Sequence, residues 1–219
     1  MSKIDEFYAR PKNELIAQEF ELNLNDFHAI HFGAIGPSNG VGYIISAAAI
    51  LKEQGVENIK IVFLGSGREE DELREKCAQR NITNVRFFGR HPMKIVSEIV
   101  NICDVSIVSF ANIPILYTNS PNKLFDSLSA SKPIIVNSPG WTKEMVEENK
   151  CGLYVDPEKP EELANALIFL SKNPDEIAIF SKNSRRLAET TYDKSILCKK
   201  VSDIINKFDK SNSVQKKYS

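Results

Sequence analysis

Short apolar runs alternate with longer amphipathic stretches through most of the chain. The runs are rich in Ile, Val and Phe, several end at a glycine, and they occupy residues 28–33, 59–64, 85–88, 105–109, 134–136 and 152–155. Runs of this length and composition, bounded by turn-forming residues, predict buried strands. Because helical patterns lie between them, the strands are expected to be parallel and covered by helices on both faces.

The stretches between the runs repeat apolar residues at helical spacing. They predict helices over residues 13–20, 41–54, 68–80, 92–101, 121–130, 141–148, 160–171, 175–190 and 193–208. The last of these carries an apolar stripe formed by Ile196, Leu197, Val201, Ile204 and Ile205. The pattern therefore predicts the α/β class, with a doubly wound, parallel, six-stranded Rossmann-like sheet and extra C-terminal helices.

The same pattern predicts the domain organisation. Residues 28–208 form the α/β domain, residues 1–27 are a polar linker or lead-in segment without a clear strand, and residues 209–219 are a polar, flexible tail. A chain of 219 residues is long enough for one large domain of this kind.

Composition and charge narrow the class of protein. With 42% apolar and 26% charged residues the chain can bury a sizeable core, and a formal net charge of −1 disfavours a dedicated nucleic-acid binder. No apolar run approaches the roughly 18 residues needed to span a bilayer, and the N-terminus is unlike a signal peptide. The four cysteines are scattered without a CxxC pair, which disfavours zinc and disulfides and favours a reducing cytoplasm.

Ligands of doubly wound sheets bind beyond the carboxyl ends of the strands, near the point where the strand order reverses. The loops predicted to meet there span residues 33–40, 65–67, 89–91, 110–120 and 137–141. The longest of them, 110–120, is the kind of loop that more often has a function than not. The glycines of the first loop are not spaced as GxGxxG, so a dinucleotide fingerprint is not supported. They either make a tight turn or let a ligand approach the backbone closely.

The clearest candidate chemistry lies between residues 118 and 139. A polar loop, 118–120, leads into a helix with Pro121 in its first turn. Such a helix start attracts anions, because free backbone N–H groups and the helix dipole converge there. Lys123 and Asp126, one turn apart, add a cation suited to phosphate and a carboxylate suited to sugar hydroxyls. An ordinary capped helix before a strand explains the same residues, so the pattern alone leaves both interpretations open.

Other catalytic signatures are missing from the sequence: it contains no GxSxG, HExxH or P-loop motif and no paired metal carboxylates. His28 and His31 fall in a buried strand and are interpreted as structural. His91 follows Gly89 at the sheet edge and faces either a ligand or solvent. Trp141 either covers the core or walls a bound ring.

Several stretches together resemble the C-terminal, nucleotide-sugar-binding domain of GT-B glycosyltransferases, in particular glycosyltransferase family 4. They are HFGAIGPSNGVGYIISAA, IKIVFLGSGREEDELREKC, NVRFFGRHP, CDVSIVSF, SPNKLFDSLSASKPIIVNSPGWTKEMVEENKCGLYVDPEKPEELANAL and the helical tail. The resemblance runs from about residue 30 to residue 205. As a combination it is far more specific than any one glycine motif.

The resemblance implies a binding site for a nucleotide-diphosphate sugar, most suitably UDP-linked, without a metal or another cofactor. It places Asp126 on the ribose hydroxyls, Lys123 and the helix start on the diphosphate, the backbone of residues 89–91 against the base, and the sugar near Gly140 and Trp141. The implied substrate-binding residues are Gly33, Gly36, Gly40, Gly89, Arg90, His91, Thr118, Asn119, Ser120, Pro121, Asn122, Lys123, Asp126 and Gly140. No catalytic residue is assigned.

Three positions depart from the family pattern. Thr118 stands at the position of the family's first carboxylate, and Ala34 and Asn39 stand where the family has a phosphate-binding Arg and Lys. These departures imply weaker donor binding. GT-B enzymes also have two Rossmann-like domains, and the resemblance covers only one. We therefore expect a missing N-terminal domain to supply the acceptor, and this chain alone to transfer nothing.

The expected function is that of the donor-binding domain of a retaining, hexosyltransferase-type glycosyltransferase of bacterial polysaccharide biosynthesis. The acceptor is expected to be a glycan or a lipid-linked glycan, and the full-length enzyme to lie in the cytoplasm or at the inner face of the membrane. Two alternatives stay open: a non-catalytic nucleotide-sugar-binding or scaffold module with a degenerate site, and a nucleotide-sugar epimerase-like enzyme.

Overall fold

Six parallel strands form the centre of the structure, a computed structural model that describes residues 1–215, with side chains described as far as residue 206. The strands are β1 (Phe27–Phe32), β2 (Ile59–Leu64), β3 (Val85–Phe87), β4 (Val105–Val108), β5 (Ile134–Val136) and β6 (Gly152–Tyr154). Their order in the sheet is β3-β2-β1-β4-β5-β6, and every neighbouring pair is parallel. The predicted fold class is confirmed. The strand order reverses between β1 and β4, which makes the carboxyl edge of β1 the switch point.

Nine helices surround the sheet within the described residues. They are α1 (Glu14–Glu19), α2 (Val41–Glu53), α3 (Glu70–Gln79), α4 (Met93–Ile102), α5 (Asn122–Ser129), α6 (Trp141–Glu148), α7 (Pro160–Lys172), α8 (Pro174–Thr190) and α9 (Lys194–Gln215). None of them within residues 1–215 is long and apolar enough to cross a membrane.

Apolar side chains cover both faces of the sheet. In β1, Ala29 packs into the cluster that contains the buried residues of α2 and α7, whereas the next residue, Ile30, packs into the cluster that contains those of α1 and α4. Successive strand side chains point to opposite faces, so one apolar run supplies both layers. A third cluster joins β5 to α5, α6 and α8.

Element boundaries differ from the predicted ones where a local preference wins over the apolar pattern. Pro121 was predicted in the first turn of α5, but it has an extended backbone (φ −78°, ψ 142°) and is the N-cap, so the helix begins at Asn122. Residues 114–118 of the long predicted loop form a 3-10 turn. The apolar stripe of α9 is present, with Val201, Ile204 and Ile205 more than half exposed. The backbone of α9 continues to residue 215, into the predicted tail, and residues 216–219 lie outside the described residues.

Candidate functional site

The loops after β1 and β2 run side by side at the switch-point edge of the sheet. The backbone N–H of Gly33 donates to the carbonyl of Leu64 (2.9 Å), and that of Ile35 donates to the carbonyl of Ser66 (3.1 Å). Gly65 has φ +145°, and a Cβ there would lie 1.9 Å from the carbonyl oxygen of Gly33. A glycine is therefore required for the two backbones to pack this closely.

A cavity of about 480 Å³ opens above these loops. This is within the size range of small-molecule sites, roughly 300–1,000 Å³. Its lining residues come from the carboxyl ends of β1, β2 and β3, from α4 and α5, and from the N-terminal segment: Phe7, Phe32, Gly33, Ala34, Leu64, Gly65, Ser66, Gly89, Arg90, His91, Met93, Val96, Asn122, Lys123 and Asp126. The wall at α4 is apolar, and the charged groups converge at α5 and the loop after β3.

Lys123, in the first turn of α5, is a buried cation without a countercharge. Its side chain lines the cavity, and its Nζ lies 3.1 Å from Nε2 of His31 and 3.1 Å from Oδ1 of Asn39. Among the described residues it forms no ion pair. Burial lowers the pKa of Lys123 to about 7. Burial and the neighbouring Lys123 lower the pKa of His31 to about 3, so His31 is neutral and can accept the lysine's hydrogen bond.

Asp126, one turn further along α5, is a buried carboxylate that also lacks a partner. Its exposed fraction is 6%, and Oδ1 is buried without a hydrogen bond from any described residue. Burial raises the pKa of Asp126 to about 6, with Lys3 opposing the shift. Asp126 and Lys123 do not pair with each other. An acceptor and a donor held in this way at one cavity are both available to a bound molecule.

The loop after β3 contributes Gly89, Arg90 and His91 to the lining of the cavity. His91 directs Nε2 at the carbonyl of Phe88 (2.9 Å) and packs edge-on against Phe20, with ring centroids 5.0 Å apart. Arg90 is exposed at the rim, where its Nε donates to Oγ of Ser66. The imidazole of His91 is therefore held by the protein's own backbone, and Arg90 is the second cation at this cavity.

The structure brings together only part of the predicted site. Gly33, Gly89, Arg90, His91, Asn122, Lys123 and Asp126 line the cavity, whereas Gly36, Gly40, Thr118, Asn119, Ser120, Pro121 and Gly140 do not. Thr118, which the resemblance places at the position of the family's first carboxylate, ends the 3-10 turn and donates to the carbonyl of Ile115 (3.3 Å). Gly40 packs beneath Phe110, where an added Cβ would lie 2.7 Å from the carbonyl oxygen.

The long loop is anchored at its two ends by polar contacts. The side-chain amide of Asn137 accepts from the backbone N–H of Phe110 (2.8 Å) and donates to its carbonyl (3.0 Å). At the other end Nε1 of Trp141 donates to the carbonyl of Asn119 (2.9 Å), and the indole stacks on Phe125. These contacts support the interpretation of Trp141 as a cover of the core, because the indole packs against the cluster that contains Phe125.

We expect Trp141→Phe to lower the free energy of unfolding by about 1 kcal/mol, because the carbonyl of Asn119 loses its donor while the stacked ring is kept. Urea denaturation measures this change. Tyr8→Phe, at an exposed ring, is the matched control and is expected to leave the free energy of unfolding unchanged. Equal stability of the two variants would contradict the anchoring role of the indole.

Sequence reasoning missed the residues that hold Lys123 and those that form the apolar wall. His31 was interpreted as structural and Asn39 as a lost cation, yet the two together bind the lysine. Phe32 could have been found from its position at the carboxyl end of β1. Phe7 lies in a segment without a periodic pattern, and no signal in the sequence places it at the cavity.

The fold and the cavity together define the class of protein, which is a Rossmann-like domain with a ligand-sized cavity at the switch-point edge of its sheet. Lys123 is buried at this cavity and forms no ion pair among the described residues. Residues 12–187 match the family model described as glycosyl transferases group 1, and the chain belongs to this family. It is 25% identical over 138 residues to a Pseudomonas aeruginosa protein named probable glycosyltransferase WbjE. That match covers 62% of this chain and 34% of WbjE.

Solved glycosyltransferase structures share the fold. HepE of Anabaena, solved in complex with UDP, has a TM-score of 0.79 and 19% identity over 93% of this chain and 55% of its own. The C-terminal domain of LpcC, a group 1 glycosyl transferase of Francisella tularensis, has a TM-score of 0.68 and 18% identity over 88% of this chain and 98% of that domain. The chain therefore has the architecture of the C-terminal domain of a GT-B glycosyltransferase. It spans about a third of WbjE and about half of HepE.

Proposed function

We propose that this chain is the donor-binding domain of a glycosyltransferase, and that its donor is a nucleotide-diphosphate sugar linked to UDP. The observation that carries the proposal is the pair of buried, unpaired charges on α5. Among the described residues the Nζ of Lys123 has two neutral partners and no charged one, and Oδ1 of Asp126 is buried without a hydrogen bond. Burying a charged group is unfavourable unless a ligand supplies the opposite charge or the missing hydrogen bonds.

A diphosphate would bind at the Lys123 end of the cavity and supply the negative charge that the lysine lacks there. Lys123 stands at the N-terminus of α5, where free N–H groups and the helix dipole favour anions. Arg90 also lines the cavity and adds a second positive charge. These groups take over the part played in the family by the cations missing at Ala34 and Asn39, and Asn39 contributes by orienting Lys123.

The nucleoside would complete the Asp126 end. A carboxylate accepts hydrogen bonds from two vicinal ribose hydroxyls, and the backbone of residues 89–91 offers both donors and acceptors to a base edge. UDP is the supported nucleotide because HepE, which shares the fold, was solved with UDP and also with UDP-glucose.

We propose that sugar transfer involves a second domain as well as this one. We propose that it proceeds with retention of the anomeric configuration, and that a second domain supplies a glycan or lipid-linked acceptor and closes the cleft against water. Nuclear magnetic resonance of the first product formed by the full-length enzyme tests the stereochemistry. An inverted anomer would refute retention without touching donor binding.

Isothermal titration of this chain with UDP, GDP and their sugars tests the proposed function. We expect UDP to bind in the micromolar-to-millimolar range, and Asp126→Ala to weaken UDP binding by about ten- to a hundredfold, since a charge-assisted hydrogen bond contributes roughly 1.5–3 kcal/mol. Asp71→Ala, at an exposed carboxylate of α3, is the matched control and is expected to bind as the wild type does. If the wild-type chain binds none of these nucleotides, the proposal fails and the degenerate module becomes the better explanation.

A further inference from the structure

Residues 2–12, here called the strap, cross one side of the domain and are bound at both ends. At the start, the backbone N–H of Ser2 donates to the carbonyl of Tyr192 (2.8 Å), and its Oγ donates to the carbonyl of Phe125 in α5 (3.4 Å). At the other end, Nδ2 of Asn101 in α4 donates to the carbonyl of Arg10 (2.9 Å). The strap is part of residues 1–27, for which the sequence predicts a linker or lead-in segment, and it packs against the helices that flank the cavity.

Arg185 of α8 holds the middle of the strap. Its Nη1 donates to the carbonyls of Ser129 (2.7 Å), Phe7 (3.3 Å) and Ile4 (3.5 Å). Ser129 is the last residue of α5, so one guanidinium nitrogen joins the strap to the helix that carries both buried charges. The side chain of Arg185 lies outside the lining of the cavity itself.

The strap meets the site at its Asp126 end. Phe7 is fully buried against Phe32, with ring centroids 6.3 Å apart, and contributes to the cavity lining. Burial is the main cause of the raised pKa of Asp126, and Lys3 and Glu6 of the strap also act on it, the first lowering and the second raising it. The family model begins at residue 12, so it does not describe this contact.

We propose that the strap contributes to donor binding by holding α5 and Asp126 in place, and that Arg185 is a positioning residue for donor binding. The inference rests on the proposed function. The strap shields Asp126 from water and fixes α5 through Ser129, so that the carboxylate stays ready for the ribose. Lys123 is held separately by His31 and Asn39. Loosening the strap therefore affects the nucleoside end of the ligand and spares the phosphate end, since small displacements of a binding group are enough to weaken it.

Arg185→Gln tests the proposal in the full chain, with Arg186→Gln as the matched control. Arg186 is the exposed neighbour on α8, so both variants lose one positive charge from the same turn. We expect Arg185→Gln to bind UDP about tenfold more weakly than the wild type. Its affinity for inorganic pyrophosphate is expected to equal that of the wild type. Arg186→Gln is expected to bind both as the wild type does. Unchanged UDP affinity in Arg185→Gln overturns the proposal, and so does an equal loss for UDP and pyrophosphate.

Ser97→Ala tests the strap with a smaller change. Oγ of Ser97 donates to the carbonyl of Glu6 (2.6 Å), and its loss is expected to weaken UDP binding by about threefold while pyrophosphate binding is kept. If Arg185→Gln does not fold, Ser97→Ala decides: wild-type UDP affinity in this variant refutes the strap's role. If the wild-type chain does not bind UDP, the proposed function is refuted. If the wild type binds UDP and both variants bind it equally well, only the role of the strap is refuted.

Discussion

Lys123→Met is expected to weaken UDP binding by about a hundredfold. The ammonium of Lys123 would be the buried cation that contacts the diphosphate. Losing a charge-assisted contact of this kind from a desolvated site costs roughly 2–5 kcal/mol of binding free energy. Methionine keeps most of the side-chain volume beside Gly33, so the cavity keeps its shape. Isothermal titration with UDP measures the loss.

The same substitution is expected to leave the free chain no less stable at pH 8. The lowered pKa of Lys123, about 7, means that the folded protein disfavours the charged form, and a methionine removes this penalty. The removed penalty offsets the hydrogen bonds lost to His31 and Asn39. A loss of donor binding without a loss of stability identifies a residue retained for its ligand.

Lys132→Met is the control for Lys123→Met. Lys132 is the other lysine in the described residues with a strongly lowered pKa, about 8, which is caused by burial. Its Nζ donates to the carbonyls of Asn101 (2.8 Å) and Cys103 (2.6 Å), away from the cavity. We expect Lys132→Met to bind UDP as the wild type does, because both of its partners lie away from the cavity. Equal losses of UDP affinity in the two variants would contradict the role given to Lys123.

Binding of UDP-glucose is expected to be strongest between about pH 6 and pH 7. A diphosphate raises the pKa of Lys123 above its free value of about 7, so above pH 7 each binding event takes up as much as one proton. The affinity then falls by up to about tenfold per pH unit. Below pH 6 the affinity falls again, because Asp126, with a pKa of about 6, becomes protonated in the free chain and loses its charge.

UDP-glucose is the suitable ligand for this measurement. Both of its phosphates are esterified and do not titrate in this range, whereas the terminal phosphate of UDP has a second ionisation that, as in a phosphate monoester, lies near pH 6. His31 stays neutral throughout because its pKa is about 3. Calorimetry at pH 8 in two buffers of different ionisation enthalpy reports the proton uptake directly. An affinity that is constant from pH 7 to pH 9, with no proton uptake, would contradict the assignment of Lys123.

The sheet and its helices were predictable because their signals are local. Each strand is a short apolar run and each helix an amphipathic stretch, and the alternation of the two allows few topologies. The predictions differ from the structure where backbone preference acts at a single residue, as at Pro121, or where a turn has no apolar pattern, as at residues 114–118. The boundaries of the elements depend on such local competition between backbone preference and the apolar pattern. The order of the elements does not depend on it.

The charged part of the site was predictable for the same reason, and its surroundings were not. Lys123 and Asp126 lie on one helix three residues apart, so their proximity is visible in the sequence. The contacts of Lys123 with His31 and Asn39 join residues more than eighty positions apart, across the switch point of the sheet. The strap is attached to α8 through Arg185, at a still greater separation along the chain.

The sequence by itself therefore determined the α/β class, and it predicted a candidate site at the carboxyl edge of the sheet with the two charged residues of α5 in it. Only the tertiary structure decided that Lys123 is buried without an ion pair among the described residues and that Asp126 has a buried oxygen without a hydrogen bond. It also decided that Asn39 binds the lysine and that Phe7 of the strap lines the cavity. The physical reason is that periodicity records which face of an element is buried. Desolvation and long-range hydrogen bonds depend instead on which elements meet, and the chain defines that only when it is folded.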